Sequence, residues 1–211
     1  MLHLEQVTAF LAIALIITFA PGPDNLMVLG QSLSRGRMAG FGIALGCAAG
    51  CLTHVLLAVF GISAVIASSP ALFLALKLAG AAYLAWLGYK AIRYAAPPTI
   101  AAAPSAQEPW WVYLRRGFIA AAVNPKLALF FLAFLPQFTR PAQGHVSLQM
   151  LQLGLLFAAQ AALVFCLIAV AAGTIGRLLS RHPRSGAWLD RLTGLIFIAL
   201  AIRLVLTGHK G

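Results

Sequence analysis

Residues 19–28, FAPGPDNLMV, lie inside a long apolar segment yet hold two prolines, a glycine and an aspartate. They form either a loop between two short helices or an interruption within one membrane-spanning helix, and the choice sets the fold. The rest of the chain favours the second reading. Of 211 residues, 62% are hydrophobic and 9% charged, with a mean hydropathy of +0.93. A soluble chain carries roughly 25% charged residues, and no single soluble core could hide this much apolar surface. Apolar runs of the length a helix needs to cross a ~30 Å hydrocarbon layer fall at 4–30, 39–63, 71–92, 117–138, 148–173 and 187–206. The expected class is an all-α polytopic membrane protein with six transmembrane helices in a lipid bilayer.

No Lys or Arg precedes the first run, and MLHLEQ contains an acid, so a cleaved signal peptide is not expected there. Cys47, Cys51 and Cys166 all fall inside apolar runs, which argues against a secreted disulfide framework. The formal net charge of +11 does not point to nucleic acid, because the basic residues punctuate the ends of the runs. With six crossings, one side carries Arg35, Arg37, Lys90, Arg93, Arg115, Arg116, Arg177, Arg181, Arg184 and Arg191, and the other Arg140, Arg203 and Lys210. Ten against three predicts that the first side is cytoplasmic and that both termini lie outside. Lys77 and Lys126 are left within spans; Lys77, two turns from the outer face, is expected to snorkel outward.

An Ala- and Pro-rich stretch at 96–113 separates residues 1–95 from 114–211 and reads as a cytoplasmic linker that ends in an aromatic belt at Trp110, Trp111 and Tyr113. Each flanking part holds three apolar runs, and a second set of three must insert upside down relative to the first. Two inverted three-helix repeats are therefore expected, with the first and fourth helices broken: PGPDN at 21–25 and NPK at 124–126 interrupt them at corresponding places.

Pro21, Pro23 and Pro125 remove backbone donors and clash with carbonyls a turn earlier, and Gly22 adds freedom. Backbone groups freed at membrane depth are tolerable only against protein or in a watery cavity. Asp24 would stand at the start of the second half-helix, as a cap or as a carboxylate for an ammonium or a coupling proton, with Asn25 adding amide hydrogen bonds. Lys126, after Asn124 and Pro125, is the expected partner of Asp24, because a lone ammonium at this depth is costly. One carboxylate with one ammonium suits an amino acid, and no surplus acid in the spans would neutralise a second cationic group. Neutral amino acids are thus the expected cargo.

In the second run, Gly42, Gly46 and Gly50 recur every four residues and should let the helix pack closely on the broken one. Cys47, Cys51 and His54 share a neighbouring stripe, which leaves a heavy-metal cation exporter as the alternative function. Without a second ligand cluster no metal site is assigned, and His54 is read as a proton carrier or a packing histidine. A membrane thiol oxidoreductase fits poorly, since Cys47 and Cys51 are one turn apart and Cys166 stands alone. Gln31, Gln137, Gln152 and Gln160 are the other polar residues of the runs, with Gln160 deep in the fifth. No nucleotide-binding or hydrolase motif is present in the sequence, so no enzyme activity and no cofactor are expected.

The segments PGPDNLMVLGQSLSRGRMAGFGIALGCAAGCLTHVLLAVFGISA, LKLAGAAYLAWLGYKAIR and GFIAAAVNPKLALFFLAFLPQF resemble the LysE/RhtB family of bacterial amino-acid exporters, the lysine exporter and homoserine/threonine efflux type. The resemblance covers nearly the whole chain in order. It implies secondary, proton-driven antiport of amino acids such as threonine, homoserine or leucine across the inner membrane. It also carries a functional role over to Pro21, Gly22, Pro23 and Asp24 and to Asn124, Pro125 and Lys126. A homodimer is compatible with this architecture.

Overall fold

The computed structural model describes residues 2–62, 69–95, 108–181 and 183–206, and these are helical almost throughout, without strands. Most of the expected linker, 96–107, lies outside the described residues, as does Lys210.

The first run is two helices, α1 (Leu4–Phe19) and α2 (Pro23–Arg35), bent by 57° at the proline motif. Pro23 occupies the first turn of α2, where a missing N–H costs nothing. Gly36, with φ +88°, then turns the chain in a conformation that favours glycine, and α3 (Arg37–Leu57) follows, ending in a π-helical turn, Ala58–Ile62. Helix α4 (Pro70–Arg93) is capped by the Ser69 hydroxyl, which accepts from Leu72 N at 3.3 Å.

Helix α5 (Trp110–Ala122) begins inside the expected linker, since Pro109 sets up its first turn. Tyr113 is therefore not an interfacial anchor: it is buried, while Trp110 and Trp111 remain exposed. After Asn124 the chain resumes as α6 (Pro125–Leu129), a π-helical turn (Phe130–Phe134) and a 3-10 turn (Leu135–Phe138), bent by 50° from α5. Helix α7 (Val146–Arg181) has 36 residues, and α8 (Pro183–Leu206) has 24.

By length and composition, α3 and α7 are candidates to cross a membrane, and the count reaches four if each bent pair is one span. Helices α4 and α8 fall on the third and sixth expected runs but outside that count, so the six-span expectation is met in part.

The glycine stripe of α3 meets α5, the first half of the second broken helix, not chiefly the first one. A Cβ on Gly46 would come 2.1 Å from Leu114 O, and one on Gly117 2.2 Å from Ile43 O, so the two backbones touch. Among the α3 glycines, Gly40 abuts α2, against Ser32. Gly88 and Gly194 seat α4 on α8 in the same way, and α7 lies along α1, α2 and α3. Beneath the second break, Phe130, Phe131 and Phe157 form an aromatic core, with Phe131 and Phe157 edge to face at 4.9 Å. Lys77 is buried within the protein at 7% exposure, so its ammonium does not snorkel outward.

Side-chain ties close both ends. At one, Gln6 of α1 donates to Phe138 O and to Gln149 Oε1, and Gln149 in turn bonds Arg140 and Gly144. At the other, Glu108 pairs with Arg35 at the end of α2 and with Arg116 of α5.

Candidate functional site at the two helix breaks

In an α-helix the carbonyl of residue i accepts from the N–H of residue i+4. Pro21 has no N–H, so Ile17 O loses its partner, and the bend leaves the next carbonyls open as well. Side chains replace these donors. Lys126 Nζ donates to Ile17 O at 3.3 Å and to Ala20 O at 3.2 Å, and Asn25 Nδ2 donates to Thr18 O at 2.8 Å. Pro125 does the same to Ala121 O, which accepts from Asn124 N at 3.0 Å and from His54 Nε2 at 2.9 Å. Because a carbonyl oxygen only accepts, Nε2 of His54 carries a proton. The imidazole stacks on Phe131, with ring centroids 6.3 Å apart. The carbonyls opened by Pro21 and Pro125, Ile17 O and Ala121 O, are thus each met by a side chain from the other half of the chain.

Asp24 and Asn124 join the two breaks. Asp24 is 1% exposed; its Oδ2 accepts from Asn124 Nδ2 at 2.8 Å, and its Oδ1 has no donor from the protein. The other end of the same amide, Asn124 Oδ1, accepts from Lys126 N at 3.0 Å and so caps α6. Asp24 and Lys126 do not form the expected direct ion pair. The α1 carbonyls hold the ammonium and Asn124 holds the carboxylate, although Lys126 and His54 each lie within electrostatic range of Asp24.

Gly22 leaves room for the Lys126 ammonium here. Its backbone is extended (φ −170°), but a Cβ would stand 2.9 Å from Lys126 Nζ. Of the expected site residues, Asp24, Asn124, Lys126 and His54 come together. Asn25 belongs to a neighbouring group, in which Gln160 Nε2 donates to Thr18 Oγ1 at 2.7 Å and the Asn25 and Gln160 carbonyl oxygens are buried without donors. Thr18 was not distinguishable from other span residues in the sequence. Glu108 was missed as well, although an acid just ahead of Arg115 and Arg116 was a usable signal.

Cys47 and Cys51 are buried free thiols. Among the described residues no three His, Cys, Asp or Glu side chains gather as a metal site would require. The site therefore offers a carboxylate with an open oxygen, an ammonium and the uncapped first amides of α2, a set that can meet both ends of a zwitterion, while the His54 N–H is committed to Ala121 O.

Two apolar helices broken at prolines around a buried charged cluster define an α-helical membrane protein with a polar site buried among its helices. The pattern of LysE type translocators matches residues 15–208, and the chain belongs to that family. It is 32% identical over 196 residues to an uncharacterized membrane protein of Vibrio cholerae, covering 93% of this chain and 94% of that one. It is 28% identical over 191 residues to a leucine efflux protein of an Enterobacter species (90% of each chain) and 27% identical over 195 residues to one of Salmonella typhimurium (92% of each). No solved structure matches the chain.

Proposed function

We propose that this protein is a secondary exporter of neutral amino acids across the bacterial inner membrane, coupled to protons and without enzymatic activity. In this reading it crosses six times as two inverted three-helix repeats, 1–95 and 114–211, with both termini outside and the linker in the cytoplasm. Helix pairing supports the repeat: α3 on α5 mirrors α7 on α1 and α2, and α4 on α8 is its own counterpart. Rocking of one half against the other would alternate access to the breaks.

One observation carries the proposal: the Asp24–Asn124 hydrogen bond joins the two breaks, with the Lys126 ammonium alongside. Asp24 is the acid hydrogen-bonded across the two breaks, while the ion pairs of Glu5 and Glu108 lie at the ends of the molecule, and a single carboxylate there suits a zwitterion better than a dibasic amino acid. Threonine, homoserine and leucine fit that charge balance, and the leucine efflux relatives make leucine the first to test.

Cells fed leucine- and threonine-containing dipeptides and expressing the protein should release one amino acid selectively into the medium, followed by mass spectrometry. Release should vanish with Asp24→Ala at equal membrane abundance. Release equal to that of empty cells would overturn the proposal.

A further inference from the structure

We infer that the open C-terminal end of α1 is a binding site for a primary ammonium group, and that the Lys126 side chain occupies it as a tethered ligand in this state. The donors and acceptors require a cation with several N–H bonds. Ile17 O and Ala20 O both accept from one nitrogen, at 3.3 and 3.2 Å; Pro21 has no N–H to offer Ile17 O, and Ala20, whose ψ of 119° ends α1, is turned out of reach of Asp24 N. Asp24 supplies the negative charge: it is 1% exposed, its Oδ1 has no protein donor, and it interacts electrostatically with Lys126. Gly22 leaves the room, since a Cβ there would stand 2.9 Å from Nζ. Two carbonyls, a carboxylate and a glycine-sized gap select –NH3+ by hydrogen bonding; a quaternary ammonium has nothing to donate.

Lys126 reaches the site from the opposite half of the chain, so its occupancy also reports that the two halves are together. In the export reading, on which this consequence rests, the carried amino acid has the same chemical group as the tethered occupant, and its α-ammonium takes the site when Lys126 leaves it. The site itself stands independently of export.

The experiment measures binding, not transport. The full-length Lys126→Ala protein, purified into nanodiscs, should gain a saturable rise in unfolding midpoint with methylammonium, roughly 5–10 °C at a hundredfold excess over Kd. The wild type, whose site is filled, should not respond, and neither protein should respond to tetramethylammonium. Leucine against 4-methylpentanoate, which lacks the amine, tells whether a substrate ammonium also enters. A flat response of Lys126→Ala to methylammonium, an equal response of the wild type, or an equal response to tetramethylammonium would overturn the assignment.

Should Lys126→Ala not fold, a second comparison decides. Lys126→Met keeps the stem and removes the nitrogen, so Gly22→Ala should lower the midpoint of the wild type and leave that of Lys126→Met unchanged. Equal losses in both backgrounds overturn the site. A protein that passes these tests but exports no amino acid would refute the transport proposal alone.

Discussion

Asn124 Nδ2 donates to Asp24 Oδ2 at 2.8 Å across 100 residues of sequence, and the other end of the same amide caps α6. One side chain thus fixes both the second helix break and the carboxylate at the first. Asn124→Ala should cost about 1–3 kcal/mol, the usual penalty for leaving a buried polar group unpaired, and should remove export along with it. Unfolding midpoints in nanodiscs and efflux at matched abundance check both parts. Full activity in Asn124→Ala would show that the bridge has no role in transport.

The charge of Asp24 is separable from its shape. Asp24→Asn keeps a carbonyl oxygen for Asn124 to donate to but carries no negative charge toward Lys126 and His54. Export should fall at least about tenfold, some 1.4 kcal/mol in the barrier, while thermal stability changes little. Asp24→Asn at wild-type efflux would assign the residue a positioning role only.

His54 is tied to the second break through Ala121 O at 2.9 Å and to the core through Phe131. His54→Phe retains the stacked ring and withdraws the donor from a carbonyl that Pro125 has already opened. The expected loss is about 1 kcal/mol, since Asn124 N still reaches that oxygen. Circular dichroism melts of His54→Phe and His54→Gln separate the hydrogen bond from the packing: the glutamine variant restores a donor and loses the ring.

Gly46 tests the close approach of α3 and α5. A Cβ there would stand 2.1 Å from Leu114 O and 2.8 Å from Phe118 N, both backbone atoms that cannot rotate away. Gly46→Ala should therefore destabilise by about 1–3 kcal/mol or more, as overpacking does, despite the higher helix propensity of alanine. Gly30, with nothing within 4 Å of its position, is the control, and Gly30→Ala should be neutral or stabilising. Equal melts for the two variants would contradict the packing.

The parts of this molecule legible in the sequence are those fixed locally. Pro21, Pro23 and Pro125 dictate the breaks because a missing N–H acts within one turn, and the apolar runs dictate the helices. What the sequence could not supply is which freed carbonyl each distant donor would reach. Charge alone paired Asp24 with Lys126; in the structure the α1 carbonyls satisfy the ammonium better, and a neutral amide takes the carboxylate. The burial of Lys77 and Tyr113 was hidden for the same reason, since each depends on which helices pack around it. Glu108 lay in a stretch whose composition reads as a linker, yet it is the acid on which two arginines converge.

That convergence predicts a pH dependence. Glu108 accepts from Arg116 and, at 2.8 Å, from Arg35, while its own N–H donates to Tyr113 Oη at 3.1 Å. The hydrogen bond from Arg116, reinforced by the two guanidinium charges, holds its carboxyl below the usual glutamate range. A depressed folded value means the ionised form is bound more tightly in the folded state. Its stabilisation is present in full above the ordinary glutamate value of about 4.3 and is lost as pH falls through the lower folded one. The difference in unfolding midpoint between wild type and Glu108→Gln should therefore be constant from neutral pH to about pH 5 and shrink below that. High salt should narrow it too, because Glu108 is 29% exposed and Arg116 38%. Since Arg35 ends α2 and Arg116 lies on α5, losing the pair frees the end of one broken helix from the start of the other, and Glu108→Gln should expose this end to thiol labelling at an introduced cysteine. A difference that is flat down to pH 3, or no gain in labelling, would show that the three side chains do not hold this end closed.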